Sequence, residues 1–464
     1  MSCETPAVEG DTLMPRTPSP KYDKTKYCVR CKEAQGNIVI RHAVYCKDCF
    51  FPLIIHKFRR GLEPSVNPTP DGPRRTALRP DGNLLVGFSG GLGATVLLDL
   101  GAVCYVEICD AFPGMRDKTA DIERFVAKYE ASTSSIARAR CVRRELVEAV
   151  HASRDASNLA VDMSSEELRL STLASSATPL RSLQSYLAAL PTATAVPSTV
   201  ETLVRLLLLH TALRTESSHL VLGTSLTSLA VSLISGVSQG RGHTLKEEMQ
   251  QEWSEGDHGQ PSHDASNETR DGGRKRYVRV VRPLRDVGRK ECALWARWRD
   301  LVIVGKERWP WSGAKQDIGT LTREFITGLE KDYPSTVSTI VRTCTKVEPK
   351  GESAGLCVLC ARPVQRGVQE WKSRISIRSR DKSQDEPPPA STSLNPHLCY
   401  ACHTTMTSRS SRPAPSLGLP ASEQSSVRCV PLPVWVDSGM HRPARLSEQQ
   451  MKEAVQDFLL EDDT

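Results

Sequence analysis

Short apolar runs alternate with stretches of helical period along most of this chain, and that alternation organises everything else. Leu84, Leu85, Val86, Gly87 and Phe88 form a continuous apolar run suited to a strand buried on both faces. Ser89, Gly90, Gly91 and Gly93 interrupt it. Residues 94–100 then read as a helix with Val96, Leu97 and Leu100 on its buried side. The pattern repeats: a strand over 103–108, a helix over 117–129, helical composition over 132–150 and an apolar helix over 201–213. A strand over 219–222 follows, and Gly223-Thr224-Ser225-Leu226-Thr227-Ser228 opens a helix over 229–235. The last strand is 277–281, with helices over 288–298 and 320–329. Strand and helix in turn predict an α/β fold around a parallel sheet. Residues 152–199, rich in Ser, Ala, Thr and Leu, resolve into neither period.

Composition divides the chain further. At 464 residues it has room for one large domain with appendages or for two or three domains. Hydrophobic residues are 39% and aromatics 5%, so substantial parts are expected outside any core. Residues 1–26 read as a disordered Pro- and Thr-rich tail, 27–60 as a small cysteine module, and 61–81 as a basic Pro-rich linker carrying Arg74, Arg75 and Arg79. The α/β domain is expected over 82–345, with a charged, disordered insertion at 243–275. A second cysteine module follows over 346–440, with disordered insertions that include 404–428. The stretch 441–464 reads as a short amphipathic helix, opened by a capping box at Ser447 and Gln450 and carrying Met451, Val455, Phe458 and Leu459.

The net charge of +7 suits an acidic partner such as RNA without requiring one. Basic groups at Lys57, Arg59 and Arg60, beside the first cysteine module, and at Arg282 and Arg285, after the last strand, are candidates for gripping a phosphate backbone. Ordinary solvated charge explains them equally well. No apolar run is long enough to span a bilayer and no secretory leader is visible, so a soluble cytoplasmic protein is expected.

Fifteen cysteines in a long intracellular chain read as metal ligands when they fall in C-x-x-C pairs. Cys28 and Cys31 pair this way, and Cys46 and Cys49 follow after fourteen residues. Residues 37–45 between them alternate as a hairpin. Two such knuckles bring four thiolates to tetrahedral zinc in a small ribbon; an iron–sulfur centre is the competing reading. Cys357, Cys360, Cys399 and Cys402 repeat the arrangement with 38 intervening residues, and a long closed loop costs little more than a short one. Zinc is expected at both quartets, with His42 a bystander and His397 and His403 in reserve. Cys109 and Cys141 stand alone.

Strand, glycine turn and helix N-terminus together make an anion cradle. The string Ser89-Gly90-Gly91-Leu92-Gly93-Ala94 resembles the Ser-Gly-Gly-x-Asp-Ser loop of the PP-loop ATP pyrophosphatases, which adenylylate a carbonyl oxygen. Gly93 and Ala94 stand where that motif has Asp and Ser. Thr227 and Ser228 stand where active members have the two carboxylates of Gly-His-x-x-Asp-Asp, on the turn opened by Gly223 and Thr224. The resemblance thus implies an adenine nucleotide alpha hydrolase-like fold with its chemistry thinned. Weak anion binding at the loop is expected; the lost groups count against ATP.

Taken in order, the first cysteine pairs, the degenerate Ser-Gly-Gly loop, Leu222-Gly223-Thr224-Ser225, Arg282-Pro283-Leu284-Arg285-Asp286-Val287, the late cysteine pairs and the terminal Asp457-Phe458-Leu459-Leu460 resemble the cytoplasmic tRNA 2-thiolation protein 2 family, over roughly 27–460. That resemblance implies a heterodimer with a catalytic PP-loop paralogue. It implies tRNA as the shared substrate, wobble uridine converted to 2-thiouridine, and a thiocarboxylated ubiquitin-related modifier as sulfur carrier. It implies a non-catalytic role for this chain. An active PP-loop tRNA adenylyltransferase and a zinc-ribbon adaptor without an RNA role are the alternatives.

Overall fold

The computed structural model describes residues 27–66, 83–97, 102–132, 141–150, 159–164, 167–172, 178–245, 251–254, 277–305, 317–347, 353–368, 371–372, 393–408 and 429–440. The expected N-terminal tail, most of the basic linker, and the C-terminal amphipathic helix lie outside the described residues.

The chain begins with a small hairpin, β1 (Ile38–Ile40) and β2 (Ala43–Tyr45), followed by helix α1 (Lys47–Val66). Next come β3 (Asn83–Gly87), α2 (Leu92–Leu97), β4 (Ala102–Glu107), α3 (Thr119–Ser132) and β5 (Cys141–Glu145). Strands β6 (Leu159–Asp162) and β7 (Leu170–Thr172) precede helices α4 (Pro179–Ala188) and α5 (Ala195–Arg214). Then come β8 (Ser217–Leu222), α6 (Leu226–Ser238), β9 (Gln251–Ser254), β10 (Tyr277–Val281) and α7 (Arg289–Trp298). Helices α8 (Ile318–Asp332) and α9 (Pro334–Lys346) lead to β11 (Ser353–Leu356) and β12 (Pro363–Gln365). Helix α10 (Tyr400–Thr407), β13 (Cys429–Pro431) and α11 (Trp435–Met440) complete the described chain.

The central sheet has the order β5-β4-β3-β8-β10-β9. Its first five strands run parallel, and β9 pairs antiparallel with β10. The central strands are apolar because both faces are covered: Leu85, Val86, Leu220, Val221, Val278 and Val281 are all buried. Helix α5 is apolar on nearly every side for the same reason, lying between the sheet and a second core. Strand order reverses between β3 and β8, so the carboxyl ends of these two strands mark the place where such sheets bind ligands.

Four expectations are corrected here. Residues 141–150, read as helix, are the edge strand β5 followed by a 3-10 turn over Leu146–Ala149. An edge strand tolerates the charges of Arg143, Arg144 and Glu145, which hid it from a hydrophobic reading. Within the expected insertion at 243–275, Gln251–Ser254 is a strand that continues the sheet. The boundary at residue 60 cuts a helix: α1 runs on to Val66, and its Gly61 packs so tightly that an added Cβ would lie 2.5 Å from the Pro283 carbonyl oxygen. Within the span read as 404–428 disorder, α10 continues to Thr407. The unresolved 152–199 stretch contains β6, β7, α4 and the start of α5; β6 lies between β7 and the distant β13 in a three-stranded sheet. Among the described residues, no helix is long and apolar enough to cross a membrane.

Neither cysteine module stands apart from the sheet. Ile38, Phe50 and Ile54 share a core with Val86, Leu97, Val221, Leu284 and Val287. Phe50 packs edge-on against Trp298 at 5.1 Å, and Phe51 against Trp295 at 5.0 Å. At the other end, Val358, Leu359, Leu398 and Met406 join a core with Tyr186, Leu203 and Leu207. Phe50 has no exposed surface. Phe50→Ala should therefore lower stability by about 3–5 kcal/mol, read as a midpoint shift in denaturant unfolding that also loosens the α2–α7 contact.

Candidate functional site

At the carboxyl end of β3 the chain makes the expected turn, and Gly90 adopts φ +66°, a left-handed conformation that suits glycine. Helix α2 starts at Leu92, two residues before the expected position, with Thr95 Oγ1 donating to the Gly91 carbonyl at 3.1 Å. The last three residues of the expected helix, 98–100, lie outside the described residues. The cradle is then closed from two sides. The Gly305 amide donates to the Gly90 carbonyl at 2.9 Å, and Lys118 Nζ donates to the Gly305 carbonyl at 3.0 Å, so Val304 and Gly305 lie against the turn. On the β8 side, a Cβ added to Gly93 would lie 2.0 Å from the Gly223 carbonyl oxygen, and one added to Gly223 would lie 2.5 Å from the Ala94 nitrogen. The two loops touch backbone to backbone where the sheet would otherwise open to a ligand.

Of Thr227 and Ser228, compared above with a pair of carboxylates, Thr227 is taken into the scaffold and Ser228 is exposed. Thr227 is buried; its hydroxyl donates to the Glu330 carboxylate at 2.8 and 2.9 Å and accepts from the Arg289 amide at 3.0 Å. Ser225 caps α6, accepting from the Ser228 amide at 3.3 Å. Thr224 and Gly223 are half-buried in the turn before that cap, and Ser89 is exposed.

Cys109, read as isolated, has neighbours: its sulfur and carboxylate oxygens of Glu107 and Asp117 all lie within 4.8 Å of one another. Glu107 is buried and already accepts from Tyr105 Oη at 2.5 Å, from the Ile108 and Cys109 amides at 2.8 and 2.9 Å, and from Thr119 Oγ1 at 3.3 Å. Burial first, and then the Glu107 carboxylate, push the Cys109 thiol up to about 12. A thiol so placed carries little thiolate at neutral pH.

The two cysteine quartets are each drawn together. In both, four sulfurs lie within 4.8 Å of one another, with Cys31 and Cys46 3.9 Å apart and Cys360 and Cys399 3.8 Å apart. Metal–sulfur bonds of about 2.3 Å in a tetrahedron have sulfur–sulfur edges of about 3.8 Å. The spacing therefore fits one central ion and is far beyond a disulfide bond. A four-iron cluster ligates each thiolate at a different iron and spreads them more widely.

The folding of each site is alike. The first pair sits in a knuckle whose following residue is left-handed (Lys32, φ +61°; Ala361, φ +52°), and the second pair opens a helix, α1 or α10. Without a cation the thiols cannot all ionise. Burial opposes the Cys28 thiolate, but hydrogen bonds from the backbone of Cys31, Cys46 and Arg30 outweigh it and bring that thiol down to about 6. Desolvation, then its sulfur neighbours, hold Cys49 up at about 12. In the second quartet hydrogen bonds from the other three cysteines hold Cys360 well below the usual thiol range, while Cys357, through burial first, and Cys402, through its sulfur neighbours first, lie well above it. A divalent ion relieves this conflict. Neither His42, His397 nor His403 joins a quartet; His403 is buried and bonded to Lys372 and Thr407.

The basic candidates do not gather on one surface. Arg59 and Arg60 are exposed on α1, whereas Lys57 is tied to Glu291 at 2.5 Å. Arg282 is buried and Arg285 half-buried. That Lys57 serves inside the molecule had no signal in local sequence, because its partner Glu291 comes from α7.

A family profile described as cytoplasmic tRNA 2-thiolation protein 2 matches residues 317–404. The chain is similar to the protein of that description from Danio rerio, 27% identical over 326 residues, covering 61% of this chain and 57% of that one. It is also similar to the Homo sapiens protein of the same description, 26% identical over 407 residues, covering 74% and 73% respectively. The chain thus spans little more than half the length of the Danio rerio relative. Among solved structures it is similar to the U34-tRNA thiolase NcsA from Methanococcus maripaludis with its [4Fe-4S] cluster, with a TM-score of 0.45, 15% identity, and coverage of 73% of this chain and 96% of that one.

Each quartet should hold one metal ion. Elemental analysis of the purified chain should give two equivalents, falling by one in Cys399→Ser. Gly93→Asp, which restores the residue of the active motif, should lower stability and soluble yield without gaining nucleotide binding, because no side chain fits against Gly223; a well-folded variant with new ATP affinity would contradict the closed loop.

Proposed function

We propose that this chain, which is related to the cytoplasmic tRNA 2-thiolation protein 2 family, is the non-catalytic subunit of a cytoplasmic complex that makes 2-thiouridine at the wobble position of Lys, Glu and Gln tRNAs. Its partner is a catalytic PP-loop paralogue, with which it forms a heterodimer. That partner adenylylates uridine O2 and delivers sulfur from a thiocarboxylated ubiquitin-related modifier. Both quartets hold zinc as structural ions, bracing the two ends of the fold.

The observation that carries the reading is the contact of Gly93 with Gly223, together with the use of Thr227 by Glu330 and Arg289. Adenylyl transfer needs donors and a metal aimed at the charge that develops on the phosphates. Here the positions that would supply them are a glycine without room for a side chain and a hydroxyl occupied by the scaffold. The protonated Cys109 agrees, since sulfur insertion asks for a thiolate. Arg59 and Arg60 remain as exposed contacts for the tRNA backbone, at a ribbon held rigidly to the sheet.

Separated subunits decide the matter, each assayed for tRNA-dependent AMP formation. This chain alone should give background values; the partner should turn over, and adding this chain should raise its rate and its tRNA affinity. Robust turnover by this chain alone, abolished by Ser89→Ala with folding intact, would overturn the reading in favour of an active adenylyltransferase. A chain that captures neither a PP-loop partner nor tRNA from cells would instead be an adaptor.

A further inference from the structure

A cavity of about 290 Å³ lies between the turn that ends α6 and the second cysteine module. Gly240, Arg241 and His243 line it on one side and Arg362, Trp371 and Tyr400 on the other, with Cys360 and Cys399 of the second quartet at one end. We propose that this cavity binds one nucleotide unit, its phosphate held by Arg241 and Arg362 and its base laid against Trp371.

Size, charge and surface chemistry each point that way. The volume is at the lower end of small-ligand pockets, about 300–1,000 Å³, which suits one nucleotide and little more. Two arginines and a histidine line the cavity, and among its described lining residues there is no Asp or Glu. The two guanidinium groups offer a phosphate planar, bidentate donors. Burial lowers the pKa of His243, so near neutral pH it offers a neutral ring donor beside the arginines.

The aromatic wall is built to stay in place. Gly240 has φ +83°, and a Cβ there would lie 2.3 Å from the Tyr400 ring, so the ring rests directly on the turn's backbone. Trp371 meets Tyr400 edge-on at 5.5 Å and is 48% exposed. An exposed indole at the rim of a cationic cavity is a stacking platform for a base. Arg241 is oriented by Ser198, to which its Nη2 donates at 2.6 Å, and its own amide donates to the Gly236 carbonyl at 2.8 Å. Arg362 also favours the Cys360 thiolate. Countercharge for the quartet explains that residue, but not Arg241 or an exposed tryptophan.

The nucleotide chemistry is shared by a free mononucleotide and by an unpaired nucleotide in RNA, and the second source rests on the tRNA reading above. The test is calorimetric titration of the full-length chain, loaded with metal, with UMP, AMP, inorganic phosphate and a single-stranded ribotrinucleotide. Nucleotides should bind more tightly than phosphate. Trp371→Ala should weaken nucleotide binding about five- to a hundredfold while leaving phosphate binding, metal content and circular dichroism unchanged. Arg241→Gln should weaken both. Tighter binding of the trinucleotide than of UMP assigns the site to RNA; tighter binding of UMP or AMP assigns it to a free nucleotide. No binding of any nucleotide at millimolar concentration, or nucleotide binding unaffected by Trp371→Ala, overturns the proposal. Because these titrations need neither partner nor turnover, their failure is separable from failure of the subunit assay.

Discussion

The contact between Gly93 and Gly223 sets the character of this molecule. Parallel sheets leave a crevice at the carboxyl ends of the strands where the order reverses, and here β3 and β8 flank it. Two glycines let the loops after these strands meet at backbone distance. The approach draws α2 and α6 together and lets the Leu226 amide donate to the Val287 carbonyl at 2.8 Å, which joins the β8 loop to the chain leaving β10. A side chain at either glycine would push the loops apart and disturb every element they tie. The crevice has become a packing joint.

From that joint the two cysteine modules extend as braces. The first places Phe50 and Ile54 of α1 against Val86, Leu97 and Val221, so an ion bound by its knuckles would also hold the helix that packs against β3. The second places Val358 and Leu359 against α5, where Trp435 Nε1 donates to the Leu359 carbonyl at 3.2 Å. A metal that organises four thiolates contributes folding free energy outright. Coupling of metal to core runs in both directions. Loss of an ion loosens apolar packing well beyond its ligands, and cavities in the shared core disturb the knuckles.

Much of this was legible from the chain. The apolar runs at β3, β8 and β10 announced buried parallel strands, and the C-x-x-C spacing announced both quartets, because each signal is local and periodic. What escaped reading was decided at long range. Strand β5 is charged because it lies at an edge, and β9 has identity as a strand only beside β10. The close packing of α1 at Gly61 is made against Pro283, more than two hundred residues away. That Gly93, Thr227 and Ser228 differ from the carboxylates of the motifs they resemble could be read from the chain. The bonds of Thr227 to Glu330 and Arg289 could be seen only in three dimensions.

Those bonds bear on how completely the crevice is packed. A crevice left open keeps unpaired donors and a cavity, both of which weaken a fold. In this chain the joint is satisfied at three points: Gly93 meets the Gly223 backbone, the Thr227 hydroxyl has one acceptor and one donor, and the Gly90 carbonyl accepts from the Gly305 amide. The satisfied joint is stiffer than a site that must admit and release ATP, since a ligand loop has to keep some groups unpaired for its ligand. Stiffness matters for any surface held on this joint, because a surface that is already ordered loses less entropy on binding. The same packing that closes the crevice thus keeps the surfaces around it in order.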